Sequence, residues 1–156
     1  MSRLKKAGGA LTALGLFVAA FVGGWEGKRN LAYPDIVGVW TVCYGETRGV
    51  KRGDRYSDDE CLTMLGEGVA EFETGMRACL KAPDAIPPKP YAMFLSLSYN
   101  IGTGAFCRST VARRANAGDI RGACNAIALF NRAGGKVIKG LVNRRAAEQR
   151  VCLEGI

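Results

Sequence analysis

The sequence predicts an α+β fold in which a small antiparallel sheet is followed by a mostly helical lobe. Residues 30–56 are rich in Val, Trp, Tyr and Thr and are interrupted by Pro34 and several glycines, a pattern typical of short strands joined by tight turns. From Ser57 onward, apolar residues recur at steps of three and four, which indicates amphipathic helices. We expect the functional site in a cleft between the two lobes.

The first long helix is predicted to begin at a capping box. Ser57 and Glu60 have the spacing at which each side chain accepts a hydrogen bond from the other residue's backbone amide. One face of the helix that follows carries evenly spaced apolar residues, namely Leu62, Leu65, Val69, Phe72 and Met76. These features predict a long amphipathic helix.

Four shorter helical stretches are predicted after the Pro-rich loop 81–90. Pro90 suits the first turn of a helix over roughly 90–100. The others are expected near 108–116, 119–129 and 143–153. We expect Gly118 to end the first of these, and Asp119 and Asn143 to cap the N-termini of the other two.

The N-terminus carries an apolar segment behind a basic flank. Residues 7–24 hold eighteen uncharged residues, ten of them Gly or Ala, and follow Arg3, Lys5 and Lys6. A helix of that length is about 27 Å long, just short of the roughly 30 Å hydrocarbon core of a bilayer. A cleaved signal peptide, a permanent but weak membrane anchor and a buried first helix of the fold are the three readings of this segment.

Composition limits the chemistry that the chain can perform. The 156 residues include no histidine, which excludes Ser-His-Asp catalysis, Cys-His catalysis and His-ligated zinc. Residues 108–156 hold ten basic and three acidic residues, a net charge of +7. This charge indicates an anionic partner or a solvated basic face, and nucleic acid is the least favoured partner because no nucleic-acid-binding motif is present.

Six dispersed cysteines favour an oxidising compartment. They show no CxxC pair and no metal-ligand spacing. Disulfides explain an even, dispersed set, although six buried thiols in a cytosolic protein are the alternative. Six cysteines allow fifteen pairings, and spacing does not choose among them.

Two carboxylates near the apolar segment are candidates for acid/base catalysis. Glu26 follows that segment and Trp25, surroundings that favour a protonated carboxyl, whereas Asp35 lies in a polar turn with Thr41 six residues further on. Glycosidic bonds are commonly broken by one protonated and one ionised carboxyl group. The alternative is that Glu26 only ends the apolar run and that Asp35 only forms an Asx turn.

The spacing E-x8-D-x5-T, within "AYPDIVGVWTVCYG", closely resembles the signature of the phage-type lysozymes, glycoside hydrolase family 24. Residues 99–119 and 140–155 resemble two further motifs of that family, in the expected order. The resemblance implies a lysozyme-like two-lobed fold and a muramidase that cuts the β-1,4 bond between N-acetylmuramic acid and N-acetylglucosamine in peptidoglycan. Glu26 would be the acid, and Asp35 with Thr41 would position the attacking water, with inversion.

The resemblance also implies roles for two residues outside this motif. Asn100 matches a position that contacts the glycan, and Arg144 matches one near the catalytic glutamate. The alternatives are that Asn100 caps a helix and that Arg144 is a surface cation. The chain departs from the family pattern after Thr41, where Cys43 and Glu46 replace glycines and a histidine, and this puts any role of that histidine in doubt.

The N-terminus resembles a narrower group, the signal-anchor-release (SAR) endolysins. The resemblance implies that residues 1–24 tether an inactive enzyme to the host inner membrane and that residues 25–156 form the lysozyme domain. After release into the periplasm, residues 7–24 would fold in as the first helix and set Glu26 in place. Residues 1–42 contain no cysteine, so a disulfide within the anchor does not block this site.

Further expectations accompany this reading. We favour disulfides between neighbouring cysteines: Cys43–Cys61, Cys79–Cys107 and Cys124–Cys152. We expect a monomer that acts on peptidoglycan glycan strands and needs no cofactor or metal. The rival functions are a non-catalytic, membrane-tethered cell-wall-binding module and a cationic protein that permeabilises membranes through residues 1–24.

Overall fold

The computed structural model describes residues 1–35 and 37–156 of the chain. Helices dominate, and two short antiparallel hairpins complete the α+β fold that the sequence predicts. The chain divides into two units, Met1–Glu71 and Phe72–Ile156. In chain order the elements are α1 (Ala13–Gly23), β1 (Arg29–Pro34), β2 (Trp40–Cys43), α2 (Asp58–Ala78), α3 (Pro88–Ile101), α4 (Thr103–Cys107), α5 (Thr110–Asn116), α6 (Ile120–Ala126), β3 (Arg132–Ala133), β4 (Lys136–Val137) and α7 (Lys139–Leu153).

Helix α1 occupies only the second half of the apolar segment, so the prediction of a helix over residues 7–24 is wrong at its start. Thr12 is the N-cap, and its hydroxyl accepts a hydrogen bond from the Gly15 amide at 3.1 Å. The residues before it turn back through a bridge between Lys5 and Leu11, with Gly9 at a φ of +85°. Within the described part of the chain, no helix is both long enough and apolar enough to cross a bilayer.

The buried face of α1 packs into the first unit. Val18, Ala19 and Val22 are fully buried, and Leu4 from the preceding turn is buried with them. Gly23 lies so close to Tyr44 that a Cβ atom there would come within 3.1 Å of its ring. The apolar segment is therefore part of the core of this unit.

Strands β1 and β2 form the predicted antiparallel hairpin. Tyr33 pairs with Thr41, and Pro34 pairs with Trp40. On the other edge of β1, the amide of Ala32 donates to the Asp54 carbonyl at 2.9 Å. The sheet is small because Gly and Pro interrupt the chain every few residues.

Helix α2 begins at the predicted capping box. The Ser57 amide donates to Glu60 Oε2 at 2.7 Å, and the Glu60 amide donates to Ser57 Oγ at 3.2 Å. Leu65, Val69 and Met76 on the predicted apolar face are buried. These observations confirm the helix start and the apolar face that the sequence predicts.

The second unit is built around α3, whose residues 90–98 are all buried. Phe94 and Phe106 pack with ring centroids 6.4 Å apart, and α7 packs against α3. The predicted helix starts are within two residues for α3, α5 and α6, and Asp119 caps α6 by accepting from the Gly122 amide at 2.8 Å. The prediction that Asn143 caps the last helix is wrong, because α7 begins at Lys139, directly after the β3–β4 hairpin.

Three disulfides tie these elements together. Cys43–Cys61 joins β2 to α2, Cys79–Cys107 joins the segment after α2 to α4, and Cys124–Cys152 joins α6 to α7. Their Cα atoms lie 5.0–5.6 Å apart. These are the neighbouring pairs that the sequence analysis favours.

Candidate active site

Glu26 lies three residues beyond the end of α1, and its backbone amide is hydrogen-bonded to the last turn of that helix. The amides of Trp25 and Glu26 both donate to the Val22 carbonyl, at 2.9 Å and 3.2 Å. Val22 is fully buried, whereas Glu26 is partly exposed. The backbone of Glu26 is therefore held by a helix that is itself anchored in the core of the first unit.

Asp35 lies in the loop of the β1–β2 hairpin. The amides of Val37 and Val39 both donate to its Oδ1 atom, each at 2.9 Å. The backbone of Asp35 also closes the loop, because its amide donates to the Val39 carbonyl at 2.9 Å. This arrangement is the Asx turn that the sequence allows, and it fixes the carboxylate relative to the hairpin.

Thr41 lies at the start of β2 and is 5% exposed. Its hydroxyl donates to the Val39 carbonyl at 3.0 Å, the same oxygen that accepts from the Asp35 amide. Asp35 and Thr41 are therefore connected through one backbone carbonyl. Glu26 belongs to the same unit, three residues before β1 begins at Arg29.

The two departures from the family pattern have structural roles. Cys43 ends β2 in the left-handed region, with a φ of +57°, and is cross-linked to Cys61. Glu46 forms an ion pair with Arg48 at 3.0 Å, and the hydrogen bond to that guanidinium lowers the pKa of Glu46. Glu46 thus stays ionised and engaged in the turn that follows the hairpin.

Asn100 and Arg144 belong to the second unit. Asn100 is exposed in the last turn of α3, where Gly102 provides the C-cap, so the helix-cap alternative for Asn100 is wrong. Arg144 is only 4% exposed, so the surface-cation alternative is wrong as well. An open cavity of about 450 Å³ in this unit is lined by Asn100, Ile101, Phe130, Arg132, Ala133 and Leu141.

Sequence reasoning missed the charged cluster that surrounds these positions. Glu148 is fully buried, its Oε1 accepts from Arg144 Nε at 3.2 Å, and its Oε2 lies 2.9 Å from Arg145 Nε. Ser96 from α3 donates to the same Oε1 at 2.7 Å. The signal was present in "RRAAE", because a carboxylate three and four residues after two arginines lies on their face of a helix.

The cluster combines opposing electrostatic effects. Burial raises the pKa of the Glu148 carboxyl. The Arg145 guanidinium, the hydrogen bond from Ser96 and the Arg144 guanidinium each act in the other direction. Burial also lowers the pKa of Arg145. In the described part of the chain, no group of three or more His, Cys, Asp or Glu residues could hold a metal ion.

Comparison with known proteins yields close matches along most of the chain. The family described as phage lysozyme matches residues 23–148. A SAR-endolysin of Enterobacteria phage P21 is 38% identical over 151 residues, which cover 95% of this chain and 90% of the relative. A mutant of P22 lysozyme has a TM-score of 0.79 at 27% identity, covering 91% of this chain and 97% of that one. The active form of the P1 phage endolysin Lyz has a TM-score of 0.75 at 24% identity, over 92% and 85% of the two chains, which shows the fold alone.

Proposed function

Since the chain belongs to the phage lysozyme family, we propose that it is an endolysin that cuts the β-1,4 bond between N-acetylmuramic acid and N-acetylglucosamine in peptidoglycan. The observation that carries this proposal is the β1–β2 hairpin, which fixes the Asp35 carboxylate with two amides and connects it to the Thr41 hydroxyl through the Val39 carbonyl. A carboxylate and a hydroxyl held in this way suit the positioning of a water molecule.

Glu26 is the proton donor in this mechanism. It protonates the glycosidic oxygen of the leaving sugar while positive charge develops at the anomeric carbon. The Glu26 amide is hydrogen-bonded to the last turn of α1, so the backbone at this position is fixed. The carboxyl group can therefore change position only by rotation about the side-chain bonds of Glu26. Such a restriction lowers the entropy that must be lost when the acid meets its oxygen.

Asp35 and Thr41 direct the water. The Thr41 hydroxyl donates a hydrogen bond to the Val39 carbonyl, so the lone pairs of its oxygen are available to accept a hydrogen bond from water. The Asp35 carboxylate accepts the second water proton as the oxygen attacks, and the product has inverted configuration. Asn100 and Arg144 take the substrate-binding and site-associated roles that the family motifs imply.

The position of α1 supports regulation by membrane release. The residues that would lie in the bilayer are the same residues that pack as Val18, Ala19 and Val22 into the first unit. These residues cannot lie in the bilayer and pack into the first unit at the same time. The tethered enzyme therefore lacks the packed helix that holds Glu26. Release into the periplasm lets residues 13–23 dock as α1, while residues 4–12 fold back as a turn. The three disulfides agree with an oxidising periplasm.

An assay on purified sacculi distinguishes the muramidase function from the two rival functions. The enzyme is expected to lower their turbidity and to leave muramic acid at the new reducing ends, detected as muramitol after borohydride reduction. A cell-wall-binding module would sediment with sacculi without creating reducing ends. A membrane-permeabilising protein would release dye from liposomes and leave sacculi intact.

Regulation is tested by exchanging the anchor. Replacing residues 7–24 with a strongly apolar segment of equal length is expected to retain the protein in the inner membrane and to abolish lysis. Prompt lysis of cells that express the exchanged protein would contradict the release mechanism. It would not bear on the muramidase activity, which the sacculus assay tests by itself.

A further inference from the structure

The buried cluster on α7 is more elaborate than stability requires. Arg145 is 1% exposed and Glu148 is fully buried, yet their side chains form an ion pair, with Nε and Oε2 2.9 Å apart. Burying an ion has an effective penalty of several kcal/mol even after relaxation, and well-packed apolar residues often serve stability as well or better. The cluster therefore calls for a role beyond packing.

One member of the cluster, the buried Arg145, contacts a residue at the surface of the second unit. Arg145 Nη2 donates to Asn100 Oδ1 at 3.0 Å, and Asn100 is exposed beside the cavity of about 450 Å³. Guanidinium groups only donate hydrogen bonds, so the atom of Asn100 that faces Arg145 must be its oxygen. The planar carboxamide then directs its NH2 group away from Arg145.

Glu148 fixes the other end of this connection. Its Oε2 lies 2.9 Å from Arg145 Nε, and its Oε1 lies 3.3 Å from Arg145 Nη2. The hydrogen bond from Ser96 fixes the carboxylate in turn. The chain of contacts runs from Ser96 through Glu148 and Arg145 to Asn100, within one unit.

We propose that Glu148 and Arg145 are positioning residues that orient the Asn100 carboxamide, so that its NH2 group donates to an acetamido carbonyl of the glycan. The proposal rests on the proposed function, because it takes an N-acetylated glycan as the ligand. An oriented donor strengthens binding by removing the entropy that a freely rotating amide would lose. The same orientation disfavours ligands that present only a hydrogen-bond donor to the Asn100 NH2 group, because two donors then face each other.

The test measures binding rather than hydrolysis. The probe is an oligosaccharide of N-acetylglucosamine, and its Kd is determined by calorimetry for Arg145→Lys, Asn100→Ala and the double variant. Each single change is expected to weaken binding about tenfold, which corresponds to about 1.4 kcal/mol. The double variant is expected to bind no more weakly than Asn100→Ala alone, because Arg145 acts only through that amide.

Two further variants separate positioning from folding. Glu148→Gln is expected to behave as Arg145→Lys does, with its folding checked by circular dichroism. Tyr91→Phe is the matched control, since it removes another buried hydrogen bond of this unit, to Glu73, and is expected to lower Tm without changing the Kd.

The outcomes are distinct. Additive losses in the double variant, unchanged affinity in Arg145→Lys, or absence of probe binding by the wild type would each overturn the inference. Coupled losses without any hydrolysis of sacculi would support the inference and refute the proposed catalytic function instead.

Discussion

Gly15 is the position at which the docking of α1 is most sensitive to a single side chain. A Cβ atom there would overlap the backbone carbonyl oxygen of Leu4 and would lie 3.2 Å from a methyl carbon of Leu11. Leu4 is buried, so its backbone has little freedom to move. We therefore expect Gly15→Val to displace either α1 or the turn before it.

The size of the effect follows from overpacking. Forcing extra carbon atoms into a packed site costs about 1–3 kcal/mol. For a chain of this size, 1 kcal/mol lowers Tm by about 2–4 °C. A central value of about 2 kcal/mol therefore predicts a fall in Tm of about 4–8 °C. Activity on sacculi should fall with it, because the last turn of α1 holds Glu26.

Gly8→Val is the matched control. It adds the same side chain to the same apolar segment, and beyond the adjoining residues of the chain no atom lies within 4 Å of a Cβ atom at Gly8. Both variants therefore change anchor hydrophobicity equally, and only one disturbs docking. The assay is a thermal melt of the purified proteins followed by circular dichroism, together with the rate of sacculus clearing. Equal Tm values and equal rates for the two variants would refute the docking of α1 described above.

Three further predictions concern individual elements. Replacing both Cys43 and Cys61 with alanine removes a disulfide between residues 18 apart in sequence and should lower the free energy of unfolding by about 3 kcal/mol, measured by urea titration. An unchanged urea midpoint of unfolding would contradict this prediction. Thr41→Val should lower the rate of sacculus clearing about 10²-fold with an intact fold, whereas Thr41→Ser should retain most activity; similar rates for both would show that the hydroxyl is dispensable. The pKa of Asp119 is lowered chiefly by the hydrogen bond from the Gly122 amide, so its stabilisation is present above about pH 4 and is lost as the pH falls through the folded-state pKa. The difference in Tm between the wild type and Asp119→Ala should therefore shrink as the pH falls from 6 to 2, and a constant difference would argue against the cap.

Local signals in the sequence predicted much of the fold. The capping box at Ser57 and the N-cap at Asp119 were predictable because each depends on a side chain and a backbone amide only three residues apart. The α+β class was predictable because strand and helix periodicities differ. The start of α7 was not, because Asn143 looks like an N-cap and the hairpin Arg132–Val137 that precedes α7 is only two residues long on each side.

The residues of the candidate site that belong to a sequence motif could be predicted. The contacts that depend on tertiary packing could not. Glu26, Asp35 and Thr41 follow from the spacing of one motif, and their roles stay predictions. The contacts of Glu148 with Ser96, 52 residues away, and of Arg145 with Asn100, 45 residues away, depend on how α7 packs against α3. Periodicity alone carries no information on such pairs.

The most direct test of the central claim is the rate at which purified sacculi gain reducing ends with wild-type protein and with Glu26→Gln at equal concentration. Glutamine keeps the size of the side chain and removes its acidic proton. General acid catalysis typically contributes about 10²–10⁴-fold, so we predict a loss in that range with an unchanged circular dichroism spectrum. A Glu26→Gln protein that cuts sacculi as fast as the wild type would show that the proton comes from another group.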